Sequence, residues 1–160
     1  MILYLMRHGI AERPVSGGED YARALTGHGR DVLAKAARTL REVLAAPDIL
    51  LHSPYLRARQ TAEIMADAWG LSPEREVLLA PGCGMSDLQD VYELHGGPER
   101  LMTVGHQPDV GTLVQLLTGR AVSIREGTLV VIETPRLGPR AGTVQQVYDT
   151  LTLAASEQEP

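Results

Sequence analysis

Four residues in three separated segments carry the chemistry of this sequence: Arg7-His8-Gly9, the arginine of Ser53-Pro54-Tyr55-Leu56-Arg57, and Gly105-His106. Two guanidinium groups and two imidazoles gathered in one place would repel one another unless an anion sat between them. Guanidinium forks match tetrahedral oxyanions in two-point contacts, and phosphoryl is the dianion that such a set fits best. An imidazole can also attack phosphorus through one ring nitrogen while the other stays protonated and held. A backbone carbonyl beside Gly9 supplies that hold, because glycine lets the chain turn sharply. Charge spreads over three oxygens as the group transfers, so positioning and positive charge do most of the catalysis. Capture on His8 followed by hydrolysis is nucleophilic catalysis in two steps.

That chemistry requires the three segments to meet, and the surrounding pattern indicates how. Residues 1–6 form a short apolar run that reads as a buried strand ending at Arg7. Val32, Leu33, Ala36, Ala37, Leu40, Val43 and Leu44 form the apolar stripe of a helix over 29–46, stopped by Pro47. Residues 48–52 read as a second strand. Ser53-Pro54 then opens a helix over about 55–69, with Ser suited to capping, Pro to the first turn and Gly70 to the close. A third strand is expected near Glu76–Leu79, followed by a loop at 80–84 and a short helix near Met85–Tyr92. Residues 101–104 read as a fourth strand, and Pro108 starts a helix to about Thr118 with Asp109 in its positive first turn. Residues 128–133 and 143–150 read as late strands, and 154–160 as a frayed tail after a single catalytic domain over 1–153.

Strands alternating with helices predict an α/β fold in three layers, helix, sheet and helix, with a mostly parallel central sheet and antiparallel strands added late. Such sheets bind ligands beyond the carboxyl ends of their strands. Arg7-His8, Ser53 and Gly105-His106 all stand at such ends. Two helix N-termini point the same way, adding unpaired N–H donors and partial positive charge.

Leu5-Met6-Arg7-His8-Gly9 resembles the signature of the histidine phosphatase superfamily. Ser53-Pro54-Tyr55-Leu56-Arg57-Ala58-Arg59-Gln60-Thr61-Ala62 resembles its second arginine segment, and Val104-Gly105-His106-Gln107-Pro108 its second histidine segment. Order and spacing agree over roughly residues 1–135. The short chain and Leu25-Thr26-x-x-Gly29 further resemble the SixA-type phosphohistidine phosphatases. The resemblance implies a phosphoglycerate mutase-like fold, His8 as nucleophile, and Arg7, Arg57, His106 and Gly9 as the residues that bind the phosphoryl group. It implies no metal and no cofactor.

One departure bears on the substrate. Larger members of the superfamily that cleave phosphate esters carry an acid after the third strand, to protonate the leaving oxygen. Here that stretch reads Leu79-Ala80-Pro81-Gly82-Cys83-Gly84, without a carboxylate until Asp87. General acid help is typically worth ~10²–10⁴-fold to an alkoxide, whereas an imidazole leaves well without it. The absence favours an N–P bond, as in a phosphorylated phosphotransfer protein, unless Glu12, Asp87 or Asp90 folds into the role. Two alternatives remain open: a small-molecule phosphomonoesterase of the same superfamily, and a module that binds phosphoryl groups without turning them over.

Other reactive side chains have plainer readings. His28 reads as a solvated helix-entry residue, His52 as support for a strand end, and His95 as a loop residue. Arg59 suits a surface ion pair, Arg23 could reach the outer edge of the site, and Cys83 reads as an ordinary loop thiol. Trp69 and the methionines fit core or helix packing. No His, Cys and carboxylate spacing suggests zinc.

The 160 residues suit one domain, and 44% hydrophobic with 22% charged residues is ordinary for a globular chain. A net charge of -5 argues against nucleic-acid or anionic-membrane partners. Lys35 is the single lysine, which by itself decides nothing. One cysteine permits no internal disulfide, and the opening apolar run is far short of the roughly 20 residues of a membrane helix. A cytoplasmic location is therefore expected.

Overall fold

The computed structural model describes residues 1–157. Six strands form one sheet: β1 (Ile2–Arg7), β2 (Ile49–His52), β3 (Glu74–Arg75), β4 (Arg100–Gly105), β5 (Thr128–Glu133) and β6 (Thr143–Asp149), in the order β3-β2-β4-β1-β5-β6. β3, β2, β4 and β1 run parallel, while β5 and β6 are antiparallel additions. The helices are α1 (Gly27–Val43), α2 (Leu56–Trp69), α3 (Met85–Leu94), α4 (Asp109–Thr118) and α5 (Thr150–Ser156).

Strand alternation sorts the core into two layers. Leu3, Leu5 and Leu101 face the side covered by Leu88 and Val91 of α3 and by Leu113, Val114 and Leu117 of α4. Tyr4, Met6, Met102 and Val104 face Leu33, Ala37 and Leu40 of α1 and Ala58, Ala62 and Met65 of α2. Each large apolar side chain so buried contributes about 1.5–3 kcal/mol relative to exposure, which locks the layers and hence the strand ends.

Register decides what those ends bring together. Arg7 of β1 pairs with Gly105 of β4, and Val104 of β4 pairs with His52 of β2. His8, Ser53 and His106 therefore emerge side by side on one rim.

Four local expectations are revised. The third strand is only Glu74–Arg75, and Val77–Leu79 is a 3₁₀ turn because the Glu76 carboxylate accepts the Leu78 N–H at 3.1 Å. α2 begins at Leu56, one residue after the expected start, with Tyr55 at its N-cap position, so the Ser53 hydroxyl accepts the Tyr55 N–H at 3.2 Å ahead of the helix and does not cap its first turn. α1 ends at Val43, three residues early. Residues 154–156 are not frayed: they close α5, which Asp149 caps by accepting the Leu151 N–H at 3.0 Å, and Glu157 bonds Thr39 at 2.8 Å. Residues 158–160 lie outside the described residues. Among the described residues no helix is long and apolar enough to cross a membrane.

Candidate active site

His8 leaves β1 with its backbone pinned on both sides: its N–H donates to Gly105 O at 3.1 Å, and its carbonyl accepts the Gly127 N–H at 2.8 Å. Gly127 sits at φ +80°, and a Cβ there would run into the Thr150 hydroxyl, so only glycine fits this support. The imidazole is buried, and its Nδ1 lies 2.8 Å from Gly9 O. Arg57 donates through Nε to His8 Nε2 at 3.2 Å. Nε2 is thus an acceptor and Nδ1 carries the proton, so the Nε2 lone pair is directed at Arg57 on the cleft wall.

Gly9 earns its place by packing. A Cβ on it would lie 2.7 Å from Leu33 Cδ1. Its N–H donates to Thr61 Oγ1 at 3.0 Å, and Thr61 in turn donates to the Arg57 carbonyl at 2.7 Å. Both polar groups of Gly9 are therefore spent inside the protein. The Gly9 carbonyl faces His8 Nδ1, and its N–H, expected to meet the phosphoryl group, is committed to Thr61.

His106 follows β4, also buried, with its ring centroid 5.5 Å from that of His8. Its Nε2 lies 2.7 Å from Ser53 Oγ, which itself accepts the Tyr55 N–H at 3.2 Å. With that N–H on the oxygen, the Ser53 hydroxyl proton is free to point at Nε2, placing the remaining ring proton on Nδ1. His106 Nδ1 is buried without a hydrogen-bond partner, and so is Arg7 Nε. Orphaned buried donors are rare, and here two of them belong to the rim of one cleft. Tyr55 packs edge-on to His106 at 5.0 Å and lies under the Arg57 guanidinium at 5.0 Å, fixing both.

The electrostatics suit a site for an anion. Burial pushes His8 down to about 3, with the Gly9 carbonyl opposing and Arg57, His106 and Arg7 adding to the drop. Burial likewise brings His106 down to about 4, helped by Arg57 and opposed by Asp20. Both imidazoles are neutral at neutral pH. Arg7 is lowered by burial and by Arg57, with Glu126 opposing.

These residues line a cleft of about 420 Å³ whose wall also carries Glu12, Asp20, Glu126 and Gln107. Arg7, His8, Arg57 and His106 thus come together as the sequence predicts. Arg23 is at the edge, donating to Asp20 Oδ1 at 2.8 Å and to Glu12 O at 2.7 Å. Of the three candidate acids only Glu12 lines the cleft. Asp87 caps α3 by accepting the Gly84 N–H at 2.8 Å, and Asp90 borders a different groove beside Met1. Carboxylates do stand on the wall, but from the 10–24 loop and from Glu126 rather than from residues 79–84.

The other side chains fall outside the site. His28 is exposed in the first turn of α1. His52 Nδ1 lies 2.8 Å from Ser53 O, bracing the strand end. His95 ends α3 and pairs with Glu76 at 2.9 Å. Arg59 pairs with Glu63 at 2.8 Å on the surface of α2. Cys83 is buried and pushed up to about 12 by that burial, with Asp87 and Asp109 adding to it, so it is no nucleophile. Trp69 closes α2 against the α1–α2 core. Thr61, Tyr55, Asp20 and Glu126 were missed as functional residues. Thr61 and Tyr55 lie within the Arg57 segment, where the signal for Thr61 is a polar side chain four residues after that arginine, on the same helix face. Among the described residues no three His, Cys, Asp or Glu side chains group as metal ligands.

Comparison with known proteins identifies the family and the fold. The sequence profile of the histidine phosphatase superfamily (branch 1) matches residues 3–80. Phosphohistidine phosphatase SixA of Escherichia coli is 34% identical over 119 residues, covering 71% of this chain and 72% of that protein. An uncharacterised protein of Picosynechococcus is 33% identical over 156 residues, covering 92% of this chain and 94% of its own. The solved structure of the protein histidine phosphatase SixA with tungstate superposes with a TM-score of 0.81 at 26% identity, covering 96% of this chain and 99% of that one. The chain belongs to the histidine phosphatase superfamily and is a phosphatase with the superfamily's α/β fold.

Proposed function

We propose that this phosphatase hydrolyses phosphohistidine on a phosphotransfer protein through a phosphorylated His8. The observation that carries the reading is the convergence of Arg7, Arg57 and His106 on His8 in one cleft, with His106 Nδ1 and Arg7 Nε left without partners. The Nε2 lone pair attacks phosphorus as the P–N bond to the substrate imidazole breaks, and that imidazole takes a proton from water. Arg57 moves its Nε–H from His8 Nε2 to a phosphoryl oxygen, while Arg7 and His106 hold the others. Gly9 O keeps the proton on Nδ1, so the transferred group sits on Nε2 alone. Water then attacks phosphorus, inorganic phosphate leaves, and the Nε2 lone pair is restored. None of these steps calls on a metal or cofactor. Phosphoryl transfer of this kind fits a cytoplasmic signalling protein.

Two observations support an N–P substrate: residues 79–84 lack an acid, and Asp20 is held ionised. Burial alone would raise the Asp20 carboxyl, but hydrogen bonds from Arg23 and Arg57 outweigh it and keep its pKa below the ordinary value. It holds no proton to give an alkoxide at neutral pH. Glu12 and Glu126 on the wall favour the second reading, a small-molecule phosphomonoesterase. Comparing kcat/KM for a phosphohistidine protein with that for a panel of phosphate esters separates the two. Preference for phosphohistidine is expected; preference for an ester, lost in Glu12→Gln or Glu126→Gln, assigns the other substrate class.

A further inference from the structure

The 10–24 loop is closed at its base by the Ala11–Leu25 bridge and by a bond from Glu12 N to Ala24 O at 2.8 Å. Its 3₁₀ turn, residues 20–22, places Asp20 against the Arg57 side of the cleft. Three of the five Arg57 donors are already taken. Nε meets His8 Nε2 at 3.2 Å, Nη2 meets Asp20 Oδ2 at 3.2 Å, and Nη1 meets Asp20 O at 2.8 Å. Nε–H and Nη2–H form one edge of the planar guanidinium, the edge that grips an oxyanion in two-point fashion. That edge faces His8 and is closed by a nitrogen lone pair and a carboxylate oxygen.

We infer that the Asp20 carboxylate is an internal stand-in for the phosphoryl group, holding the Arg57 fork beside His8 and competing with substrate and product phosphate for it. The inference rests on the phosphoryl-transfer reading of the same site. Arg23, on Asp20 Oδ1 at 2.8 Å, gives the displaced carboxylate a second cation to stay with. Displacement therefore costs one charge-assisted contact and leaves no carboxylate stranded. The Asp20 side chain is 56% exposed, so swinging aside disturbs no packing. As phosphate departs, Asp20 returns to Nη2, and the guanidinium never faces the cleft unpaired. Asp20 is thus a positioning residue that tunes affinity for the anion and speeds release of the product.

The test is inorganic phosphate as a competitive inhibitor of the purified enzyme, measured for the wild type, Asp20→Asn, Glu12→Gln and Arg57→Ala. Asp20→Asn keeps the shape and removes the competing charge. It is expected to bind phosphate roughly fivefold more tightly, with a matching fall in KM and no rise in kcat. Glu12→Gln, on the same wall without a bond to Arg57, is expected to change phosphate affinity much less. Equal tightening in both variants points to a general field and overturns the competition. Unchanged or weaker phosphate binding in Asp20→Asn overturns it as well. In either case, phosphate binding lost in Arg57→Ala leaves the site itself standing. Phosphate inhibition indifferent to Arg57 overturns both the inference and the reading beneath it.

Discussion

Arg57 donates through Nε to Nε2 of His8 at 3.2 Å, while His8 Nδ1 is committed to the Gly9 carbonyl at 2.8 Å. One imidazole is thereby fixed in tautomer, direction and protonation by two partners from different elements. A neutral ring whose lone pair rests on a cation that can shift onto an arriving group suits attack on phosphorus.

Thr61 is the joint between those elements, since its hydroxyl serves both Gly9 N–H and Arg57 O. Thr61→Val keeps the volume and strands the Gly9 amide in a buried setting. An unsatisfied buried donor costs about 1–3 kcal/mol, and the same loosening reaches His8. Thermal unfolding should show that loss, and kcat should fall with it. Unchanged stability and kcat would remove Thr61 from the support.

Ser53 is expected to set which nitrogen of His106 bears the proton, through its 2.7 Å contact with Nε2. In Ser53→Ala the ring can take either tautomer, and only one presents a donor at Nδ1. A loss of about 1.5–3 kcal/mol in kcat/KM, on the order of 10–100-fold, is expected with the fold retained. Steady-state kinetics on the variant checks it, and wild-type kcat/KM would contradict the tautomer assignment.

Stability should fall with acidification earlier than carboxylate chemistry alone would cause. His8 and His106 are held neutral in the fold, at about 3 and about 4, but ordinary histidine in the unfolded chain takes a proton near 6.5. The unfolded state binds more protons between those values, so both groups' contributions are whole above pH 6.5 and drain away as pH drops toward 4. Urea unfolding at a series of pH values should show this slope. A double variant, His8→Gln with His106→Gln, should show a shallower one, and an equal slope would mean that the two rings are not buried neutral.

The layers and the convergence of Arg7, His8, Arg57 and His106 were legible in the sequence because both depend on strong local signals. β1, β2 and β4 are apolar runs ended by Arg-His-Gly, Ser-Pro and Gly-His, and the α1 stripe repeats at helical spacing. What stayed hidden depends on side chains choosing between local partners. Val77–Leu79 looked like a strand by composition, but the Glu76 carboxylate captures the Leu78 amide and turns the chain. Ser53 looked like a helix cap, yet its hydroxyl is drawn to His106, a partner 53 residues away. Asp20 lay in a loop without periodicity. Its approach to Arg57 is set by the closed base of that loop, which no spacing along the chain reveals.

The central claim is tested most directly by quenching the enzyme in base during turnover of a phosphohistidine substrate and mapping the phosphoryl group by mass spectrometry. The account predicts phosphate on His8 in the wild type and none in a folded His8→Ala variant that has also lost turnover. Turnover persisting in His8→Ala, or the phosphoryl group found on His106 instead, would contradict it.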